Sequence, residues 1–466
     1  MGDSRLSSRP DWVREAVFYH IFPDRFCRAG SPSAGGTLQP WDSLSGRDSF
    51  YGGNLAGIRS KLDYLQDLGI NALLLTPIFR ARTPHRYDTC SYMEVDPMLG
   101  TEEDLRALVD DLHGRGMRLV LDGVFNHTGT GFHAFQDLLA QGEQSAYRDW
   151  YFVGHFPIDV EPPSYRTCGG AAFLPKLNTG NQDVQDHLLY AARFWLEEFG
   201  VDGWRMDSAC KVPQRFWRKV RTALKHDFPE SFLLGEIWGS TRPWSDGSTF
   251  DGVSHYRLRD LILKYTFKGV DSEDVAFDLE QLVVDAGEAS PWMLTSLGSH
   301  DTPRLWREAG GDLARLKIAL ILQMTLPGVP AVYYGDEIGL DGGEDPDNRR
   351  AMPWAAEMWN QEVLALHRRL IKLRRDQPAL THGTLEMVGA RDHLLIYRRC
   401  FEAQQLLVVL NTGEQPCRAA LPAGTGDVTE VFSGERIPST QDEMTLTIPA
   451  MTAYVYCSEY RPKKDN

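Results

Sequence analysis

The sequence lacks the long apolar segments that would attach it to a membrane or export it. No apolar run among its 466 residues is long enough to span a bilayer. The first ten residues, MGDSRLSSRP, contain no apolar core of a secretory signal. We therefore expect a cytoplasmic protein with no membrane partner.

Paired cysteines and an excess of positive charge are also missing. The seven cysteines are odd in number and form no Cys-x-x-Cys pair, which predicts neither a metal cluster nor a disulfide framework. Lys and Arg total 49 against 64 Asp and Glu, a formal net charge of −15 that repels nucleic acid. No Ser-His-Asp triad, phosphate-binding loop or dinucleotide fingerprint occurs in a convincing context. We expect a ligand that is neutral or cationic.

Short apolar runs alternate with amphipathic patterns through most of the chain. Strands are predicted at 16–21, 70–75, 118–124, 203–206, 232–235, 294–298 and 331–334, with a weaker one near Val253. Helices are predicted at 55–68, from a capping box at 101–104 to Gly116, and near 184–199, 212–226, 312–326 and 357–375. This order predicts an α/β fold, a (β/α)₈ TIM barrel over residues 11–380.

Two segments interrupt the alternation. Residues 128–182 show no clear helix–strand unit, so we predict a small domain B inserted after the third strand. After Pro378, runs at 393–398, 405–410 and 446–456 predict an antiparallel β-sandwich, domain C, over 381–460. Residues 461–466 are predicted to be a solvated tail.

Carboxylates follow three of the predicted strands, at the barrel end where active sites form. Asp207 follows Arg205, which is expected to keep it ionised by lowering its pKa, as a nucleophile requires. Glu236 follows an apolar strand that should raise its pKa, which suits a general acid. Asp301 follows His300. Each has a structural alternative: Asp207 could form an isolated ion pair, Glu236 could cap a helix, and Asp301 could be an N-cap. Convergence of all three carboxylates favours one catalytic cleft instead.

A fourth polar run, Asp122 to His127, closes the third strand. Its histidine could bind a sugar hydroxyl or a metal, or could be an ordinary loop residue. No second metal ligand lies at a suitable spacing in this run.

Four motifs together resemble the signature blocks of the α-amylase superfamily, in order and spacing. They are DGVFNH at 122–127, GWRMD at 203–207, GEIW at 235–238 and SHD at 299–301. The resemblance extends from YHIFPDRF at 19–26 to the last β-domain. One block alone would be weak evidence, but four ordered blocks are highly specific.

The resemblance implies a retaining glycosidase. Asp207 would be the nucleophile, Glu236 the general acid/base, and Asp301 the stabiliser of the distorted sugar. In such enzymes the two acting carboxyls lie about 5–5.5 Å apart. The implied substrate-binding residues are Tyr87 as a stacking platform, His127, Arg205, Trp238, His300, Asp345 and Arg349. For Asp345 and Arg349, a salt-bridged turn is an equally good interpretation.

The segment LPKLN at 174–178 resembles a fifth block of the neopullulanase, cyclomaltodextrinase and maltogenic amylase branch. That branch implies hydrolysis of α-1,4 bonds in cyclomaltodextrins and maltooligosaccharides, with some transglycosylation. The alternatives are a starch-acting α-amylase, an α-1,6-active enzyme, and a glycan-binding relative without activity, although all three carboxylates are kept. The chain departs from the branch at 208–211, which reads SACK instead of VANE, and the barrel begins without the branch's extra N-terminal domain. We therefore leave bond preference open and expect a monomer.

The calcium site of secreted α-amylases uses the block-one Asn and a His carbonyl after the nucleophile. Asn126 is present here, but Lys211 stands near the position of that His. We predict that the protein requires no metal and no cofactor.

Overall fold

The structure, a computed structural model, describes residues 9–30, 37–421, 427–438 and 444–459. Eight parallel strands, numbered one to eight in chain order, form its centre. Their bounds are Phe18–Ile21, Ala72–Leu75, Arg118–Gly123, Gly203–Met206, Phe232–Gly235, Gly252–Val253, Leu294–Ser296 and Val329–Tyr333. They are hydrogen-bonded in the order 6-5-4-3-2-1-8-7, and a parallel bridge between Ser254 and Leu294 joins the two ends. The predicted barrel is confirmed.

Alternation of side chains along strand four shows how the sequence builds the barrel. Trp204 and Met206 face outward into the large core between strands and helices. Arg205 faces the opposite way, toward the barrel interior. At the other end of the barrel a smaller apolar cluster that includes Phe18, Phe232 and Val329 fills the interior. The barrel floor is thus apolar, and the polar side chains are left to the mouth.

Helices surround the barrel. The longer ones span Glu102–Gly114, Gln182–Phe199, Gln214–Asp227, Tyr256–Lys268, Ser272–Ala286, Leu313–Thr325 and Gln361–Asp376. Short helices span Pro23–Phe26, Leu305–Glu308 and Pro378–Thr381. The capping box between Thr101 and Asp104 is confirmed. Among the described residues, no helix has both the length and the apolarity that a membrane span needs.

The single helix predicted over 55–68 is wrong. Two helices occupy that segment, Leu55–Arg59 and Leu62–Leu68. The Ser60 hydroxyl donates to the Gly57 carbonyl at 2.7 Å, a local bond that competes with continued helix. Gly69, with φ of 96°, ends the second helix as the sequence predicts.

The segment after strand three contains more regular structure than the sequence suggests. A helix spans His133–Gln141, and Thr167–Cys168 pairs antiparallel with Ala171–Pro175. The helix is short and begins without a side-chain cap, so its pattern gives no clear signal. We propose residues 128–182 as domain B and call them the inserted segment.

An antiparallel β-domain follows the barrel, as predicted. Six strands, Thr384–Arg391, Leu394–Phe401, Gln404–Asn411, Thr452–Glu459, Val428–Glu430 and Arg436–Ile437, form one sheet. Cys417–Leu421 and Met444–Ile448 form a second. The strand predicted at 446–456 is therefore two strands, separated by a turn in which Met451 has φ of 45°. We propose that domain C starts at residue 381; its predicted end at 460 and the tail at 461–466 lie outside the described residues.

Candidate active site

Asp207, Glu236 and Asp301 line one cleft of about 460 Å³ at the barrel mouth. They follow strands four, five and seven, so the shared direction of parallel strands delivers all three to the same end. Seven more of the cleft's residues belong to the predicted motifs, namely Tyr87, His127, Trp238, His300, Asp345, Arg349 and, from the fifth block, Leu174. The structure therefore brings together residues that lie far apart in the sequence.

Arg205 lies at the centre of this arrangement and is only 5% exposed. Its Nη1 lies 2.7 and 2.9 Å from the two carboxylate oxygens of Asp122 and 3.1 Å from Asp207 Oδ1. Its Nη2 lies 2.7 Å from Glu236 Oε1. Arg205 is thus no partner of an isolated ion pair, because one guanidinium contacts three carboxylates.

The two proposed reacting carboxyls have different surroundings. Asp207 Oδ2 has no hydrogen-bond partner within the described protein, while Oδ1 is held by Arg205. Glu236 Oε2 accepts from the backbone N–H of Ser208 at 2.7 Å, and Oε1 accepts from Trp238 Nε1 at 3.2 Å. Since Glu236 is bound in this way, it is not the helix cap that a structural interpretation required. Asp207 keeps one free oxygen, which a nucleophile needs.

Burial and the neighbouring Glu236 raise the pKa of Asp207 well above its ordinary value, although Arg205 acts in the opposite direction. Arg205 does lower this pKa as expected, but the predicted net lowering is wrong, because burial and Glu236 outweigh Arg205. Burial likewise raises the pKa of Asp122 to about 6. Asp122 and Asp207 therefore both bind a proton more tightly than free carboxylates do.

Tyr87 and His300 form a flat aromatic surface beside these carboxylates. Their rings stack with centroids 5.4 Å apart and planes 13° apart. The Tyr87 hydroxyl donates to Asp122 Oδ2 at 2.9 Å and lies 2.7 Å from His300 Nε2. Burial lowers the pKa of His300 well below its ordinary value, so this imidazole is neutral at pH 7. His300 Nε2 also lies 3.2 Å from Asp301 Oδ2.

A chain of polar contacts leads from His300 away from Glu236. It runs through Asp301 and Arg349 to Asp345. Arg349 Nη2 lies 3.8 Å from Asp301 Oδ1, and its Nη1 lies 3.1 Å from Asp345 Oδ1. Arg349 Nε donates to the His300 carbonyl at 3.0 Å. Asp301 does not cap the next helix, which starts at Leu305 with Arg304 as its N-cap. Asp345 and Arg349 form the ion pair of the structural interpretation and also line the cleft, so their binding of substrate stays a prediction.

His127 and Trp238 line the cleft in different ways. His127 donates from Nε2 to the Tyr87 carbonyl at 3.1 Å, and its Nδ1 lies 3.2 Å from Asn126 Nδ2. His127 thus fixes the backbone of the tyrosine. The Trp238 ring stacks on Tyr256 with centroids 3.7 Å apart, yet 49% of the residue is exposed. One face of this indole is therefore available to a ligand.

Lys176 of the inserted segment places an ammonium between two oxygens. Its Nζ donates to Asn126 Oδ1 and, at 2.9 Å, to the Lys211 carbonyl. Asn126 is one position that the family resemblance connects with calcium, and Lys211 stands near the other. The ammonium of Lys176 therefore lies between them. Within the described ranges, no group of three or more His, Cys, Asp or Glu side chains could hold a metal ion.

Sequence reasoning missed several residues of the cleft. These are Arg47, His85, Cys168, Phe173 and Ser208. They lie in loops or in the short hairpin of the inserted segment, where no periodicity or strand end marks them. Only Ser208, next to the nucleophile position, carried a signal.

Comparison with known proteins fits this geometry. Residues 20–383 match the model of the α-amylase catalytic domain, and residues 385–455 match the C-terminal domain of maltogenic amylase. The chain belongs to the α-amylase family. It is a glycoside hydrolase of that family, and all three strand-end carboxylates are in place.

Two curated relatives and one solved structure cover most of the chain. The cyclomaltodextrinase of Geobacillus thermopakistaniensis is 38% identical, over 97% of this chain and 79% of that relative. The intracellular maltogenic amylase of Bacillus subtilis is 38% identical, over 87% of this chain and 69% of that relative. The ligand-free structure of cyclic α-maltosyl-(1→6)-maltose hydrolase from Arthrobacter globiformis has a TM-score of 0.89 and 38% identity, and 97% of this chain covers 100% of that chain.

Proposed function

We propose that the protein is a retaining hydrolase that cleaves α-1,4-glucosidic bonds in cyclomaltodextrins and maltooligosaccharides. The observation that carries the proposal is the cleft that Asp207, Glu236 and Asp301 line together, with Asp207 and Glu236 sharing the cation of Arg205. The names of the relatives support this substrate class.

In the proposed mechanism Asp207 Oδ2 attacks the anomeric carbon, and the bond from that carbon to the leaving oxygen breaks. Glu236 transfers its proton to the leaving oxygen, so the leaving sugar departs neutral. The ester between Asp207 and the sugar is then hydrolysed by a water that gives a proton to Glu236. This second step restores both carboxyls and retains the anomeric configuration.

The other cleft residues would hold the sugar that is attacked. Tyr87 offers a ring face on which a sugar can stack, and Asp301 provides a carboxylate near the positive charge that develops on it. Asp345, whose two oxygens each lie 3.1 Å from an arginine nitrogen, would place a carboxylate beside the sugar hydroxyls. Arg205, which the resemblance names as a substrate-binding residue, contacts Asp207 and Glu236 and would keep these carboxylates in place.

A second candidate substrate is cyclic α-maltosyl-(1→6)-maltose. The Arthrobacter hydrolase named for that sugar matches this chain over its full length, whereas 79% of the cyclomaltodextrinase is matched. A structure of that hydrolase in complex with the cyclic sugar shows similar coverage and 37% identity. This observation keeps α-1,6-linked sugars in the set to be tested.

We further propose that the protein acts in the cytoplasm, a location supported by the name of the related intracellular maltogenic amylase. We also propose that it acts as a monomer. Light scattering on the purified protein would measure its mass against the 52.6 kDa of one chain.

Two measurements test the proposed function. Rates on β-cyclodextrin, soluble starch, pullulan and cyclic α-maltosyl-(1→6)-maltose should be highest for one of the two cyclic sugars. Proton NMR during the first minutes should show that the new reducing end appears as the α-anomer. A β-anomer as first product would refute the double displacement, and preference for starch would refute the proposed substrate class.

A further inference from the structure

The cleft has a direction that follows from the order of the barrel strands. Glu236 lies after strand five, and the loops after strands eight and one lie across the barrel from it. The acid protonates the leaving oxygen, so the leaving part of the substrate extends on the Glu236 side. The part that forms the ester must then extend toward the loops of strands eight and one. We call this the glycone end of the cleft.

Asp345 and Arg47, from two different loops, meet at the glycone end. Asp345, from the loop after strand eight, binds Arg349 through Oδ1, and its Oδ2 lies 3.1 Å from Arg47 Nη2. Arg47 comes from the loop after strand one and lines the same cleft. Asp301, Arg349, Asp345 and Arg47 therefore form a continuous row of alternating charges from the reacting centre to the edge of the cleft.

The last pair in this row differs from the others in exposure. The Arg349 side chain is 11% exposed, whereas that of Arg47 is 64% exposed. Arg47 is paired, within the described residues, with Asp345 alone. An exposed ion pair of this kind is weak and opens readily. Arg349 is thus a fixed part of the site, while Arg47 is a part that can move aside.

We propose that Arg47 closes the glycone end by its ion pair with Asp345 and thereby limits how far a glucan chain extends past the sugar that is attacked. This inference rests on the proposed function and names a residue that determines its chain-length specificity. A short glycone fits between the reacting carboxylates and the closed ion pair. A longer glycone has to separate Arg47 from Asp345 before it can bind.

Aromatic groups near this end offer a surface to a longer chain once the pair is open. His85 lines the cleft, and its ring centroid lies 6.3 Å from that of Phe173, a residue that is 45% exposed. Burial, together with the charges of Arg349 and other arginines that include Arg47, lowers the pKa of His85 to about 3, so the imidazole is neutral. A further sugar would therefore meet ring faces, and the His85 ring among them carries no charge.

The test uses the full-length protein with Arg47→Ala, and Arg59→Ala as a matched control. Arg59 is also exposed, at 48%, and its Nε lies 2.6 Å from Asp111 Oδ2 in a pair outside the cleft. The substrates are maltotriose and maltoheptaose labelled at the reducing end, which reveals the bond that is cut. We measure kcat/KM for both sugars and the lengths of the labelled products.

In Arg47→Ala, the ratio of kcat/KM for maltoheptaose to that for maltotriose should rise two- to fivefold, as expected for loss of an exposed ion pair. Cleavage of maltoheptaose should move away from its non-reducing end, and Arg59→Ala should change neither quantity. Raising the salt from 0.05 to 0.5 M should increase the wild-type ratio by screening the pair and leave that of Arg47→Ala unchanged.

An unchanged ratio and cleavage pattern in Arg47→Ala would overturn this inference and leave the proposed function intact. An equal loss of kcat/KM on both sugars would also overturn it, because Arg47 would then be binding sugar. A wild-type protein that hydrolyses neither sugar would overturn the proposed function itself.

Discussion

Replacing Lys176 by Ala tests whether this lysine does the work of a bound metal. The variant removes an ammonium that donates to Asn126 Oδ1 and to the Lys211 carbonyl. Asn126 is 1% exposed, so water cannot freely replace the lost donor. A hydrogen bond from a charged donor contributes about 1.5–3 kcal/mol, and the low end of that range suits a partly exposed lysine. Two such bonds give a loss of about 3 kcal/mol in the free energy of unfolding.

This loss translates into a measurable melting shift. An unfolding entropy of about 2.1 cal/mol/K per residue gives about 1 kcal/mol/K for the whole chain, so Tm should fall by about 3 °C. Differential scanning calorimetry measures the shift. Lys372→Ala is the control, since its Nζ contacts Asp376 at the surface and is 75% exposed, and its Tm should change by less than about 1 °C.

An unchanged Tm in Lys176→Ala would refute this reasoning, because Asn126 and the carbonyl would then need no donor. The wild-type protein should also keep its activity after treatment with a chelator. Loss of wild-type activity on chelation, restored by calcium, would show that a metal is required after all.

Three further substitutions probe the reacting groups and the core. Asp207→Asn should bind β-cyclodextrin almost as tightly as wild type in calorimetry, yet lose about 10⁴-fold in turnover because the ester cannot form; near-normal turnover would contradict the nucleophile role. Glu236→Gln should be slow on maltotriose but partly active on nitrophenyl glucosides, which need little protonation; equal losses on both would argue against the acid role. Asp251→Ala should lower the free energy of unfolding in urea by about 3–5 kcal/mol, because it leaves Arg221 and Lys225 buried without their carboxylate. A loss below 1 kcal/mol would mean that those cations reach water.

The barrel and the positions of the three carboxylates could be predicted from the sequence because each depends on a local pattern. Period-two alternation places Arg205 and Asp207 on one face, and the common direction of parallel strands places strand-end residues in one cleft. The two-residue strand near Val253 was also predicted, because a barrel of this type has eight strands and the other seven have clear patterns.

Most features that the sequence did not predict depend on contacts between residues that lie far apart in the chain. The pKa of Asp207 depends first on its burial and then on Glu236 and Asp122, whose approach to the same guanidinium no local pattern predicts. Arg47 reaches the cleft only because the loop after strand one lies beside the loop after strand eight. The break at Ser60 is different, because it depends on one local hydroxyl bond to Gly57 within an otherwise regular amphipathic segment.

The sharing of one guanidinium among Asp122, Asp207 and Glu236 has an energetic consequence for the reaction cycle. An empty site holds like charges at close quarters and therefore favours any species that brings in positive charge. A sugar passing through a carbocation-like state does so. The covalent step turns Asp207 into a neutral ester while Glu236 gives up its proton and becomes an anion, so the number of anions around Arg205 stays the same. The cluster therefore favours the transient positive charge on the sugar more than the states before and after it. A neutral hydrophobic side chain in place of Arg205 would leave these buried carboxylates without a cation and would destabilise the fold.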